Sequence, residues 1–107
     1  MAVRTLIHMP TQARAGEVLE VRTLVQHAME TGYRVDAGGR PIPRDLVRRF
    51  ECRFAGQLVC AAEMHAAIAA NPYLAFWFRA DSSGTLEFLW QGDQGFEHRE
   101  SVALTVT

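Results

Sequence analysis

Four histidines, two cysteines and a cluster of arginines are the side chains here with the widest chemical reach. His8, His27, His65 and His98 are dispersed, with no His-x-His or His-x-x-x-His pair to set two imidazoles around one metal ion. Folding would have to gather them, and His27 with Glu30 approaching His65 or His98 is the arrangement that would do so. The expectation is four surface or strand-end histidines and no metal site.

Cysteine catalysis needs a partly exposed thiol with a base in reach. Cys52 lies in the run Phe50-Glu51-Cys52-Arg53-Phe54, on the same face as two phenylalanines. A thiol buried there has a raised pKa and behaves as a small hydrophobe. Cys60 depends on the turn at Ala55-Gly56. A three-residue turn sets it opposite Cys52 and permits a bridge, whereas a two-residue turn pairs Cys52 with Val59; one residue of slip flips the face. The two-residue turn is expected, with two free thiols and no catalytic residue.

Gly38-Gly39 is followed by neither Lys-Ser/Thr nor a helix, so it is a flexible turn rather than a phosphate cradle. The arginines at 34, 40, 44, 48, 49 and 53 read as a solvated face partly balanced by Asp36, Asp45 and Glu51, the sharper alternative being a basic rim for an anionic partner. Phe76, Phe78, Phe88, Trp77 and Trp90 read as core. The alternative to core is open for Trp77 or Tyr73, which share a face opposite Phe76 and Phe78, since an aromatic on an outer sheet face often marks an interface.

Strands must position all of these, because period-two alternation punctuated by turn residues dominates the chain. Residues 3 to 8 begin it, closed by Met9-Pro10-Thr11. Leu19, Val21, Thr23 and Val25 alternate with polar residues after Gly16. Phe50, Cys52 and Phe54 follow, then a hairpin into residues 57 to 63. His65 to Ala70 has the composition for one helical turn, stopped by Asn71-Pro72. Residues 73 to 80, the run through Leu86, Phe88 and Trp90, and a last strand with Val102, Leu104 and Val106 inward complete the set. About seven short antiparallel strands predict an all-β, immunoglobulin-like β-sandwich without the Cys-Trp-Cys arrangement of antibody domains. The exception to short connections runs from His27 through Gly38-Gly39 to Asp45; a connection that long in a compact domain, rich in charged and aromatic residues, marks function.

A chain of 107 residues has room for one core, so 1–107 is read as a single domain. Its formal charge of -1 supplies no field to attract nucleic acid or an anionic membrane. No window approaches the roughly 18 apolar residues of a spanning helix, and the start carries no secretion signal, so a soluble chain without its own leader is expected.

Taken in order, His27-Ala28-Met29-Glu30-Thr31-Gly32, Arg34-Val35-Asp36-Ala37, Ile42-Pro43-Arg44-Asp45, Ala70-Asn71-Pro72-Tyr73 and Ser83-Gly84-Thr85-Leu86 carry a specific resemblance. The chain resembles SoxZ, the small subunit of the SoxYZ sulfur carrier of bacterial thiosulfate oxidation, over essentially its whole length. Ala28 stands where that family usually has Pro, which frees one backbone dihedral and adds an amide donor. The resemblance implies an immunoglobulin-like sandwich that pairs with SoxY as a heterodimer and meets other Sox enzymes only transiently through the complex. In that family SoxY holds the carrier cysteine on a Gly-rich arm. This chain, ending at Ala103-Leu104-Thr105-Val106-Thr107 without a Gly-Gly-Cys-Gly-Gly tail, is expected to be a non-catalytic scaffold with no cofactor. A periplasmic location by co-export with SoxY is likewise implied.

Met29, Tyr33 and Arg34, with Asn71, Pro72 and Tyr73, are expected to form one surface facing the partner or its arm, since Met adapts to irregular apolar surfaces and Tyr and Arg are enriched in interface cores. The rival readings are a stand-alone immunoglobulin-like binding module and a small metal-dependent redox protein, as in superoxide reductases.

Overall fold

The computed structural model describes residues 4–64 and 70–107. In chain order the strands are β1 Thr5–His8, β2 Gln12–Ala13, β3 Glu17–Val25, β4 Val47–Phe54, β5 Gln57–Glu63, β6 Tyr73–Ala80, β7 Gly84–Gly92 and β8 Glu97–Val106. They form two sheets, one of three strands in the order β1-β3-β6 and one of five in the order β2-β8-β7-β4-β5. The all-β sandwich that the alternation predicts is therefore the observed architecture.

Eight strands rather than seven are described. The addition is β2, two residues that pair parallel with β8 opposite Thr105 and Val106. It forms because the chain leaves the three-stranded sheet at Met9-Pro10 and crosses to the other, where Thr11 O accepts from Thr105 N at 2.9 Å and Ala13 O from Thr107 N at 3.0 Å. Two residues carry no periodicity. The helical turn expected from His65 to Ala70 falls largely on residues 65–69, outside the described residues, as does the start of the first strand.

Each long strand turns one face inward. Leu19, Val21, Thr23 and Val25 of β3 meet Phe50 and Cys52 of β4 and Leu86, Phe88 and Trp90 of β7, all buried. Phe50 lies at the centre, its ring centroid 5.4 Å from Trp90, 6.3 Å from Phe88 and 6.1 Å from Phe76 on the opposite sheet. Offset aromatic contacts of this kind add to the area they bury. Thr23 is the one buried polar residue of the described core, and its hydroxyl donates to Leu74 O at 3.1 Å, so its burial leaves nothing unsatisfied.

The β4–β5 hairpin corrects the expected cysteine register. The turn is the two-residue one, with Ala55 at φ 51° and Gly56 at φ 81°, the left-handed pair that a tight hairpin demands. Phe54 pairs with Gln57 and Arg53 with Leu58, as that turn requires, but Cys52 then pairs with Cys60. Val59 is the extra residue of a β-bulge, which restores to Cys60 the inward face that a regular ladder would deny it.

Candidate functional site

The long connection between β3 and β4 folds into an arm with its own ladder. Glu30 and Asp45 exchange both backbone hydrogen bonds at 2.8 Å, Ile42 N donates to Arg34 O at 2.8 Å and Asp36 N to Arg40 O at 2.8 Å. At the tip, Asp36 Oδ1 accepts from Gly38 N and Arg40 N, and Gly39 takes φ 78° to close the turn.

His27 holds the base of this arm. Its side chain is only 8% exposed, so it is not the surface or strand-end histidine that its spacing suggests. The backbone amide of Met29 donates to His27 Nδ1 at 2.9 Å, which makes Nδ1 the acceptor and leaves the proton on Nε2. Nε2 faces Asp45 Oδ1 at 3.5 Å, a buried oxygen with no hydrogen-bond partner among the described residues. Phe96 meets the imidazole edge-on at 4.9 Å. On the main chain, His27 N donates to Asn71 Oδ1 at 2.9 Å and Asn71 N to His27 O at 2.6 Å. Met29 and Asn71 both adopt φ 55°, a conformation that needs surrounding contacts to hold it outside glycine.

Asp93, in the β7–β8 turn, fixes the other strand of the base. Its carboxylate accepts from Leu46 N at 3.1 Å, lies 3.0 Å from Arg44 Nε and 3.6 Å from Arg48 Nη1, while its own amide donates to Leu46 O at 2.8 Å. The neighbouring Gly92 is obligatory, since a Cβ there would collide with the Leu46 carbonyl.

The six sequence candidates separate into two roles. Tyr33 is 90% exposed on the arm, and Arg34 beside it is exposed and bound to Glu30, which lowers the Glu30 pKa chiefly through that hydrogen bond. Tyr73 is exposed on the outer face of the three-stranded sheet. Asn71 is exposed but clasps His27, and Pro72 is buried with its carbonyl accepting from Val25 N at 3.2 Å. Met29 corrects the expectation of an outward thioether. It is 6% exposed, and its Sδ accepts from Val47 N at 3.2 Å, because its left-handed backbone turns the side chain into the core.

The arginine cluster has the solvated-face character, with Glu51 among its partners as expected and Glu30 and Asp93 in addition. Arg34 pairs with Glu30, Arg44 and Arg48 with Asp93, and Arg49 and Arg53 with Glu51. Asp93 and Glu51 are each shared by two arginines, and such exposed pairs individually contribute little to stability.

A second surface lies on the three-stranded sheet, whose outward positions include Leu6, Val18, Tyr73 and Trp77, at 55% to 68% exposure. A groove of 280 Å³ there is lined by Leu6, His8, Arg22, Thr23, Leu24 and Tyr73. Beside the strands β5 and β6, Phe54, Val59, Trp77 and Arg79 border a wider groove of 580 Å³. The exposed apolar side chains of the three-stranded sheet's outer face are divided by the Arg22–Glu20 ion pair. Leu6 and Val18 lie on the solvent side of their strands' alternation, which is the signal for them; His27 and Asp93 offered none, because their partners come from distant segments.

Cys52 is fully buried, and burial, helped by the charge of Cys60, pushes its pKa up to about 12. Burial also raises that of Cys60, which is half-buried. Among the described residues no three His, Cys, Asp and Glu side chains converge on a position for a metal.

Comparison with known proteins adds the following. Residues 7–103 match the family model described as SoxZ, sulphur oxidation protein SoxZ. No curated protein matches significantly. Among solved structures, the superoxide reductase (neelaredoxin) of Ignicoccus hospitalis superposes with a TM-score of 0.74 at 18% identity, covering 96% of this chain and 80% of that one. The sulfur carrier protein SoxY of Chlorobium limicola f thiosulfatophilum gives 0.66 at 13%, covering 96% and 78%. At these identities the likeness is one of fold.

Proposed function

The chain belongs to the SoxZ family, and on that premise we propose that it is the non-catalytic scaffold subunit of a sulfur-oxidation carrier complex, pairing with SoxY. The family match over residues 7–103 carries the reading. The arrangement of surfaces supports it: Tyr73 and Trp77 stand exposed on a sheet face that a partner would bury, and Tyr33 projects from an arm whose base is held by His27 and Asp93. Both cysteines sit in β4 and β5 with raised pKa values, an environment that suppresses the thiolate a carrier needs. SoxY supplies the sulfur-bearing thiol, and this chain supplies the surface beside it. Co-export with SoxY to the periplasm belongs to the same proposal.

The test is to mix the purified chain with SoxY and measure the mass in solution by light scattering after size exclusion. A stable one-to-one complex, or a multiple of it, is expected, and separate elution at micromolar concentration would favour a stand-alone binding module. Incubation of the isolated chain with thiosulfate and the oxidising partners should add no sulfur to its intact mass. Stoichiometric sulfur adducts on Cys52 or Cys60 would overturn the scaffold reading.

A further inference from the structure

The two cysteines face each other across a hairpin, and the fold goes out of its way to bring them there. A regular ladder continuing from Phe54↔Gln57 and Arg53↔Leu58 would put Val59 opposite Cys52; the bulge inserts Val59 and delivers Cys60 instead. Both side chains then lie on the inner face, Cys52 in the core and Cys60 packed against its margin. Directly opposed residues of antiparallel strands have Cβ atoms roughly 4.5–5.5 Å apart, against the ~3.5–4.5 Å of a disulfide, so closure needs a shift on the order of 1 Å. Among the described strands β5 is the edge of its sheet, with β4 as its one neighbour, so that shift disturbs a single ladder.

We propose that Cys52 and Cys60 are a redox pair that closes to a cross-strand disulfide, with a low-molecular-weight or protein disulfide as oxidant. Cys60, the more accessible sulfur, attacks the oxidant R–S–S–R as its thiolate and releases one RSH, leaving Cys60–S–S–R. Cys52 then attacks the Cys60 sulfur and releases the second RSH. Two electrons and two protons pass from the cysteines to the oxidant, and one sulfur–sulfur bond is exchanged for another. The high pKa of both thiols makes the closing slow and the closed bond hard to reopen by the same route. Closure would pin the edge strand at its bulge. The inference is independent of the partner reading.

The experiment incubates the full chain with oxidised glutathione at mildly alkaline pH, unfolds it in urea with iodoacetamide to cap every remaining thiol, and takes the intact mass. The expected product is lighter than the dithiol chain by two hydrogens, carries neither alkyl group nor glutathione, and yields a linked peptide joining Cys52 to Cys60. It regains its mass in dithiothreitol and melts roughly 5 to 10 °C higher than the reduced chain. Cys60→Ser should abolish the linked peptide. Two capped thiols, a glutathione that persists on Cys60, a disulfide-linked dimer or a lower melting temperature would each overturn the proposal. These outcomes are distinct from the sulfur adducts that test the scaffold reading, which add mass.

Discussion

Tyr33 and Arg34 are exposed on a braced arm, so their side chains are available to a partner without being needed by the core. Changing both to Ala should weaken association with SoxY by about 2 kcal/mol or more if they form a hot spot, while the isolated chain melts nearly as before. Titration calorimetry with SoxY checks the first, and a melting curve the second; unchanged affinity would move the contact to the Tyr73 and Trp77 face. Ionisable residues make a separate prediction. Side-chain hydrogen bonds with Arg34, Arg49 and His98 respectively hold Glu30, Glu51 and Glu100 below the ordinary glutamate value of 4.5. Depressed carboxylates stabilise the fold above that value and lose their contribution as the pH falls through their folded-state pKa. Melting temperature should therefore decline on the acid side below pH 4.5, and Glu100→Gln should make that decline shallower.

At the scale of elements, the β4–β5 hairpin carries a strain that one substitution relieves. Ala55 adopts φ 51°, a conformation that costs an L-residue with a Cβ roughly 1 kcal/mol and glycine almost nothing. Ala55→Gly, or Ala55→Asn to make the favoured Asn-Gly pair, should raise stability by about 1 kcal/mol or less, since Gly also gains entropy in the unfolded chain. Denaturant midpoints at constant slope would show it. The arm is an element built by distant contacts instead. Its turn at Asp36 to Arg40 is written in local residues, but its base depends on His27, Asn71 and Asp93, which meet from three segments.

For the whole molecule, the two sheets are held together by an aromatic centre. Phe50 is fully buried and touches Phe88 and Trp90 on its own sheet and Phe76 on the other. Phe50→Ala should cost about 3 to 5 kcal/mol, a large share of the 5 to 15 kcal/mol typical of a domain. Chemical denaturation measures it, and a loss below ~1 kcal/mol would contradict the packing. The molecule is elongated, 58 × 22 × 19 Å, and the base of its arm, through the His27–Asn71 hydrogen bonds, lies next to the start of β6 that carries Tyr73.

Strand alternation, turn residues and the ordered family motifs were enough to read the all-β sandwich, its inward Phe50, Phe88 and Leu104 and the family from the sequence, because each is carried by neighbouring residues or by linear order, whereas Trp77, grouped there with the core, is exposed. The burial of His27 and Met29, the pairing of Arg44 and Arg48 with Asp93, the parallel β2 and the bulge that sets Cys60 opposite Cys52 were decided only in three dimensions. Each depends on residues far apart in sequence, or on a single inserted residue that reverses a face. Local periodicity specifies which way a strand's side chains point, but only tertiary contact decides what they meet.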